Sequence, residues 1–194
     1  MSTHFTGPIY TGSPDSPVEV CDNAGALYDS GSQVVSTITP SSVISASAAS
    51  VKSSVVRLGD IIKTTIVIDL TGLKSVATDL DIIGDTGVSY LMQVTAAANG
   101  TIFKGQMGCM EVPTTGADDI DLYAATEGTG AYDGGIAALT ETALVTAGGA
   151  HAIGTVKPFT ALPAANQYLY LTSGEAVAGT YDAGILYIEM WGYV

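Results

Sequence analysis

The sequence predicts an all-β protein, an antiparallel β-sandwich or jelly roll with an extended N-terminal arm. Three observations predict it. From residue 33 onward the chain falls into about seven to nine short runs of strand character, separated by turn residues. No strand–helix alternation recurs, as a parallel sheet would require. Charged residues are only 13% of a chain that is 47% hydrophobic, so much of the surface must be Ser, Thr, Gly and Ala, as in strand-rich domains. A chain of 194 residues buries one substantial core. No linker or internal repeat divides residues 33–194, so one domain follows the arm.

Taken in order, residues 1–32 read as the arm. Pro8, Pro14 and Pro17 lie close together, and Gly7, Gly12, Gly25 and Gly31 interrupt every apolar cluster. Proline removes a backbone donor and glycine raises the entropy lost on ordering, so regular elements are not expected there. Phe5, Ile9, Tyr10, Val18, Val20, Leu27 and Tyr28 nevertheless punctuate it, which predicts an arm lying on its own domain or on a neighbour. Gln33–Thr39 reads as a short strand ended by Pro40. Ser41–Ser54 suits helix, strand or loop equally, because its small residues permit a helix while Ser and Val argue against one.

The later signals are clearer. Lys63–Leu70 alternates, with Thr65, Val67 and Asp69 opposite Ile66, Ile68 and Leu70, and Val76–Ile83 reads as a strand with Asp79 and Asp81 on one face. Tyr90–Thr95 and Thr101–Val112 read as a hairpin centred on Asn99-Gly100, a pair suited to positive φ. Asp119–Ala125 is a strand, Glu127–Gly135 with its four glycines a flexible loop, Ile136–Val145 a short helix, and Gly154–Phe159 a strand. A closing hairpin, Gln167–Thr172 and Gly184–Tyr193, completes the chain. Its alternation places Leu169, Leu171, Leu186, Ile188 and Met190 on a core face. Tyr168, Tyr170, Tyr187, Trp191 and Tyr193 take the opposite face, which is covered either by a second layer of the same chain or by a neighbour.

Charge excludes several functions. The formal net charge is −13 and the six cations, Lys52, Arg57, Lys63, Lys74, Lys104 and Lys157, form no run. Neutralising phosphates requires clustered cations, so nucleic acid and anionic membranes are not expected partners. The opening MSTHFTGPIYTG has neither the basic nor the apolar region of a secretory signal, and no apolar run reaches bilayer-spanning length. Cys21 and Cys109 are then expected as free thiols.

No complete catalytic constellation is present, and neither a cofactor nor a metal is expected. Asp85-Thr86-Gly87 resembles one half of an aspartic-protease dyad, but one copy stands alone and a turn explains it. Asp118, Asp119 and Asp121 offer oxygen ligands for calcium, yet Ile120 and Leu122 between them read as core positions of a strand. His4 and His151 have no partner at zinc-ligand spacing. The functional candidates are therefore surface residues: Phe5, Ile9, Tyr10, Tyr168, Tyr170, Tyr187, Trp191 and Tyr193, as a protein interface. Aromatic side chains also stack on sugars, so a carbohydrate-binding or adhesin module is the alternative.

The segments His4–Gly12 (HFTGPIYTG), Asn99–Gly105 (NGTIFKG) and Asp118–Ala125 (DDIDLYAA), with Gln167–Thr172 and Gly179–Tyr193, resemble head decoration, or cement, proteins of tailed bacteriophages. The resemblance implies a β-sandwich on the outer capsid surface, bound to the major capsid protein and assembled as trimers or dimers. It implies a virion protein made in the host cytoplasm, with no catalytic residues.

Overall fold

The computed structural model describes residues 9–13, 16–21, 27–29, 32–34, 51–146 and 148–194. Near the N-terminus, β1 (Ile9–Ser13), β2 (Ser16–Cys21), β3 (Leu27–Asp29) and β4 (Ser32–Val34) form an antiparallel sheet in chain order. Regular pairing was not expected in residues 1–32. The strands are short enough to accommodate the breakers: Pro17 stands opposite Gly12, one pair from the end of the β1–β2 ladder, where a missing amide is tolerated.

Two antiparallel sheets make the main body. The larger contains β5 (Val51–Leu58), β6 (Ile61–Asp69), β8 (Thr101–Thr114), β11 (Val156–Pro158) and β14 (Ala183–Tyr193), ordered β11-β8-β14-β6-β5. The smaller contains β9 (Ile120–Ala125), β10 (Glu141–Val145) and β12 (Tyr168–Ser173), ordered β10-β9-β12. On the other side of β12 runs irregular chain. There Ile83 N–H donates to Leu171 O at 2.9 Å and Leu91 N–H to Leu169 O at 2.7 Å. Short strands β7 (Lys74–Ser75) and β13 (Gly179–Thr180) pair separately.

The inward positions of both sheets meet in one core. Ile66 and Ile68, Met107 and Cys109, and Leu186, Ile188 and Met190 from the larger sheet pack with Ile120, Leu122, Leu144, Leu169 and Leu171 from the smaller. The expected core residues Leu169, Leu171, Leu186, Ile188 and Met190 are all fully buried. Each such side chain stabilises the fold by roughly 1.5–3 kcal/mol relative to exposure. The fold is an all-β sandwich.

Several local expectations differ from this structure. The closing segments are not a hairpin, because β12 and β14 lie in different sheets and residues 174–182 carry the chain between them. Asn99-Gly100 is not a hairpin turn either. Thr95 caps a single helical turn, α1 (Ala96–Asn99), and Gly100 ends it at φ 69°. That turn passes the chain from the smaller sheet to β8, and Asn99 anchors it by donating to Thr64 Oγ1 at 2.8 Å. Val76–Ile83 is bent rather than extended, with Leu80 at φ 64°. Ile136–Val145 holds one 3-10 turn (Ile136–Ala138) followed by β10. The undecided stretch before residue 54 ends in β5, which a two-residue turn joins to β6. Gly59 takes its first central position at φ 60°, as a type II′ turn requires.

The loop expected to be flexible is a packed cover. Residues 126–139 lie over the outer face of the smaller sheet, where Ile82, Tyr123, Ala125, Ile136 and Tyr170 form a second apolar cluster. Its glycines permit close approach rather than motion. A Cβ on Gly130 would meet Ile82, Tyr170 and Leu139, and one on Gly128 would meet the ring of Tyr168. Tyr170 fixes the cover: its hydroxyl donates to Glu127 O at 2.7 Å and accepts from Gly130 N–H at 3.2 Å. Tyr170→Phe leaves that buried amide and carbonyl unpaired. We expect a loss of about 1–3 kcal/mol in urea unfolding and faster amide exchange across residues 127–139. An unchanged exchange pattern would contradict the hydroxyl's role.

Candidate interaction face

Strand β14 is central in the larger sheet and pairs with β6 and β8 along most of its length. Its inward residues are apolar, so period two sends Ile185, Tyr187, Glu189, Trp191 and Tyr193 to the outer face. These side chains are half-buried, except for exposed Tyr193. Among the described residues no second apolar cluster covers them, in contrast to the outer face of the smaller sheet.

The cross-strand register explains how each lies. Tyr187 faces Gly108 of β8, and a Cβ there would collide with the Tyr187 ring, so the glycine lets the ring lie flat. Trp191 stands between Lys63 of β6 and Lys104 of β8. The two ammonium groups lie 5.5 and 4.7 Å from the indole centroid, within cation–π range. Lys63 also pairs with Glu189 at 2.5 Å, and Gln106 Nε2 donates to the other oxygen of that carboxylate at 2.9 Å. A register shift after Trp191 turns Phe103 out of line, and its ring centroid comes within 6.3 Å of Tyr193. The result is an aromatic ladder flanked by lysines, with one satisfied carboxylate in the middle.

The structure therefore divides the expected interface residues. Tyr187, Trp191 and Tyr193 share the uncovered face. Tyr170 is fully buried under the 126–139 loop and offers no contact surface. Tyr168 belongs to that same outer layer, half-buried with its ring 4.9 Å from Tyr90. Phe5 lies outside the described residues, and Ile9 and Tyr10 stand on β1, where only the backbone is described. Sequence reasoning missed Lys63, Lys104, Gly108 and Phe103 as parts of the face. Only the β14 register brings them beside the ladder.

The other candidate chemistry has structural explanations. Asp85 sits in a turn and pairs with Lys74 at 2.7 Å, whereas a proton-sharing dyad needs a second carboxylate beside it. Among the described residues no three His, Cys, Asp or Glu side chains form a metal-binding group. Glu175 accepts the backbone amides of Asp118 and Asp119 at 2.7 and 3.3 Å. Those bonds hold its carboxyl below the usual range, while burial, followed by Glu175 itself, pushes Asp118 up. Cys109 is a free, buried core thiol whose pKa is raised chiefly by burial. His151 is buried with Nε2 2.8 Å from Ile120 O, and Lys157 lies 3.5 Å away, itself 3.7 Å from Asp119.

Compared with protein-family models, with curated proteins and with solved structures, the chain has no match.

Burial, the largest cause, and the nearby Lys157 ammonium lower the His151 pKa below its ordinary 6.5, against the opposing pull of Ile120 O and Asp119. The unfolded chain then binds a proton that the folded chain resists, so this contribution is present above about pH 6.5 and is lost as pH falls below it. We expect His151→Gln to flatten the fall in Tm between about pH 7 and pH 5. Thermal melts across that range check this, and an unchanged slope would contradict it.

Proposed function

We propose that the chain is a structural virion protein: a capsid decoration, or cement, protein. It binds the outer surface of a phage head through the major capsid protein and stabilises contacts between capsid subunits. One observation carries the reading. The aromatic ladder Tyr187, Trp191 and Tyr193 lies on a rigid sheet face that no described element covers. Large aromatic side chains on a pre-ordered surface supply contact area at little entropic cost, which suits an interface residue set. The acidic balance of the chain supports a location away from the packaged genome.

The carbohydrate-binding alternative draws less support from the same residues. Sugar stacking needs an open ring face, and the Trp191 ring already has the Lys63 and Lys104 ammonium groups over it.

Mixing purified protein with heads that lack it, followed by sedimentation, tests the proposal. The wild type should co-sediment and raise the temperature at which heads release their genome. Trp191→Ala and Tyr187→Ala should each weaken binding by about tenfold or more, as central aromatic contacts do. Failure of the wild-type protein to bind heads would end this reading.

A further inference from the structure

The outer face of the larger sheet departs from the charge of the chain that carries it. Along the cross-strand rows of Tyr187, Glu189 and Trp191, register adds Lys104 of β8, Lys63 of β6 and Lys52 of β5. Those rows hold three of the chain's six cations but one of its nineteen carboxylates. That carboxylate is already engaged, since Glu189 pairs with Lys63 and accepts from Gln106. Lys52 and Lys104 are exposed, and among the described residues neither forms an ion pair. Asp69 and Glu111 flank Ile185 at one end of the face, and Asp60 lies in the turn beyond the other. The unneutralised positive charge therefore sits in the middle, around the aromatic ladder.

Lys104 is also held in place. Its ammonium lies 4.7 Å from the Trp191 ring centroid, where the negative face of the indole attracts it. Exposed ion pairs contribute little in general because two long side chains must be ordered to make them. Here the indole has already ordered one of the two, so a carboxylate arriving at Lys104 meets a cation fixed against the sheet. We infer that this face, taken as the contact surface proposed above, receives an acidic protein surface. Carboxylates of the partner engage Lys104 and Lys52, and its apolar groups cover the ladder.

A nucleic acid would carry the same sign of charge but in the wrong arrangement. Its phosphates follow one another closely and call for clustered cations. Lys104 and Lys52 stand on β8 and β5, three strand spacings or about 14 Å apart across the sheet. Apolar and hydroxyl side chains of β14 and β6 fill most of the space between them. Single cations spread over an aromatic surface match the mixed carboxylate and apolar groups of a protein. The net charge of −13 also repels a long polyanion from every other side.

Trp191 is the single tryptophan of the chain, so its fluorescence reports on this face alone. Titrating the full-length protein with a short capped peptide of alternating Glu and Val should change that emission saturably. The same peptide with Gln in place of Glu should bind about tenfold more weakly. Lys104→Gln and Lys52→Gln should each weaken the acidic peptide roughly two- to fivefold, the range of one exposed ion pair. Reversing both, Lys52→Glu with Lys104→Glu, should remove the saturable response. Arg57→Gln removes the same charge from a residue that pairs with buried Ile62 on the opposite side of the sheet, and should leave binding as it is. Circular dichroism and melting of each variant confirm that it is folded, which exposed positions favour. An emission that the acidic peptide leaves unchanged overturns the inference, as do equal affinities for the Glu and Gln peptides. So does binding that survives the double reversal, or an oligothymidylate that binds more tightly than the peptide. Heads that hold the wild type and the doubly reversed variant alike would sink this inference and leave the decoration reading standing. Acidic peptide held by a protein that ignores heads would do the reverse.

Discussion

The structure depends on strand β14 having a neighbour on each side and a core on one face. Its central position fixes which side chains point inward, and Leu186, Ile188 and Met190 lose all exposure there. Once those three are committed, period two leaves no choice for Tyr187, Glu189, Trp191 and Tyr193. The register with β6 and β8 then sets what flanks each of them. The aromatic ladder follows from the core and needs no separate ordering device.

The two sheets handle the same pattern in different ways. Both β12 and β14 alternate aliphatic with aromatic residues, and both turn the aromatic side outward. On the smaller sheet the chain returns over that side, and the Tyr170 hydroxyl satisfies backbone groups of the covering loop. On the larger sheet, among the described residues, neighbouring side chains and the absent side chain of Gly108 hold the rings down. Glycine serves close approach in both places. Gly192 shows the same constraint at the sheet's end, where a Cβ would strike the Asn99 carbonyl.

Much of this was legible in the sequence. Alternation in Lys63–Leu70, Asp119–Ala125 and the last two strands identified an all-β chain and the inward residues, because period two is a property of one strand alone. Pairing partners are not. The sequence of β12 and β14 reads as a hairpin because the two strands are close in the chain and similarly patterned, yet each finds better burial in a different sheet. The Thr95 cap overrode the turn preference of Asn99-Gly100 by closing a helical turn. Four glycines between residues 127 and 135 read as slack, since composition cannot tell freedom from tight contact. The lysines beside Trp191 were invisible for the same reason as the pairing: they come from strands far away in sequence.

The order in which the larger sheet can be built has a consequence during synthesis. Its central strand, residues 183–193, pairs with residues 61–69 and 101–114, so a ribosome delivers the two flanking strands long before the strand between them. Until β14 emerges, β6 and β8 each carry an unpaired edge and an uncovered apolar face, the condition in which nascent chains associate wrongly. Pairings this distant in sequence also make closure slow. The larger sheet of the nascent chain therefore stays open until β14 inserts between partners that have been waiting for it.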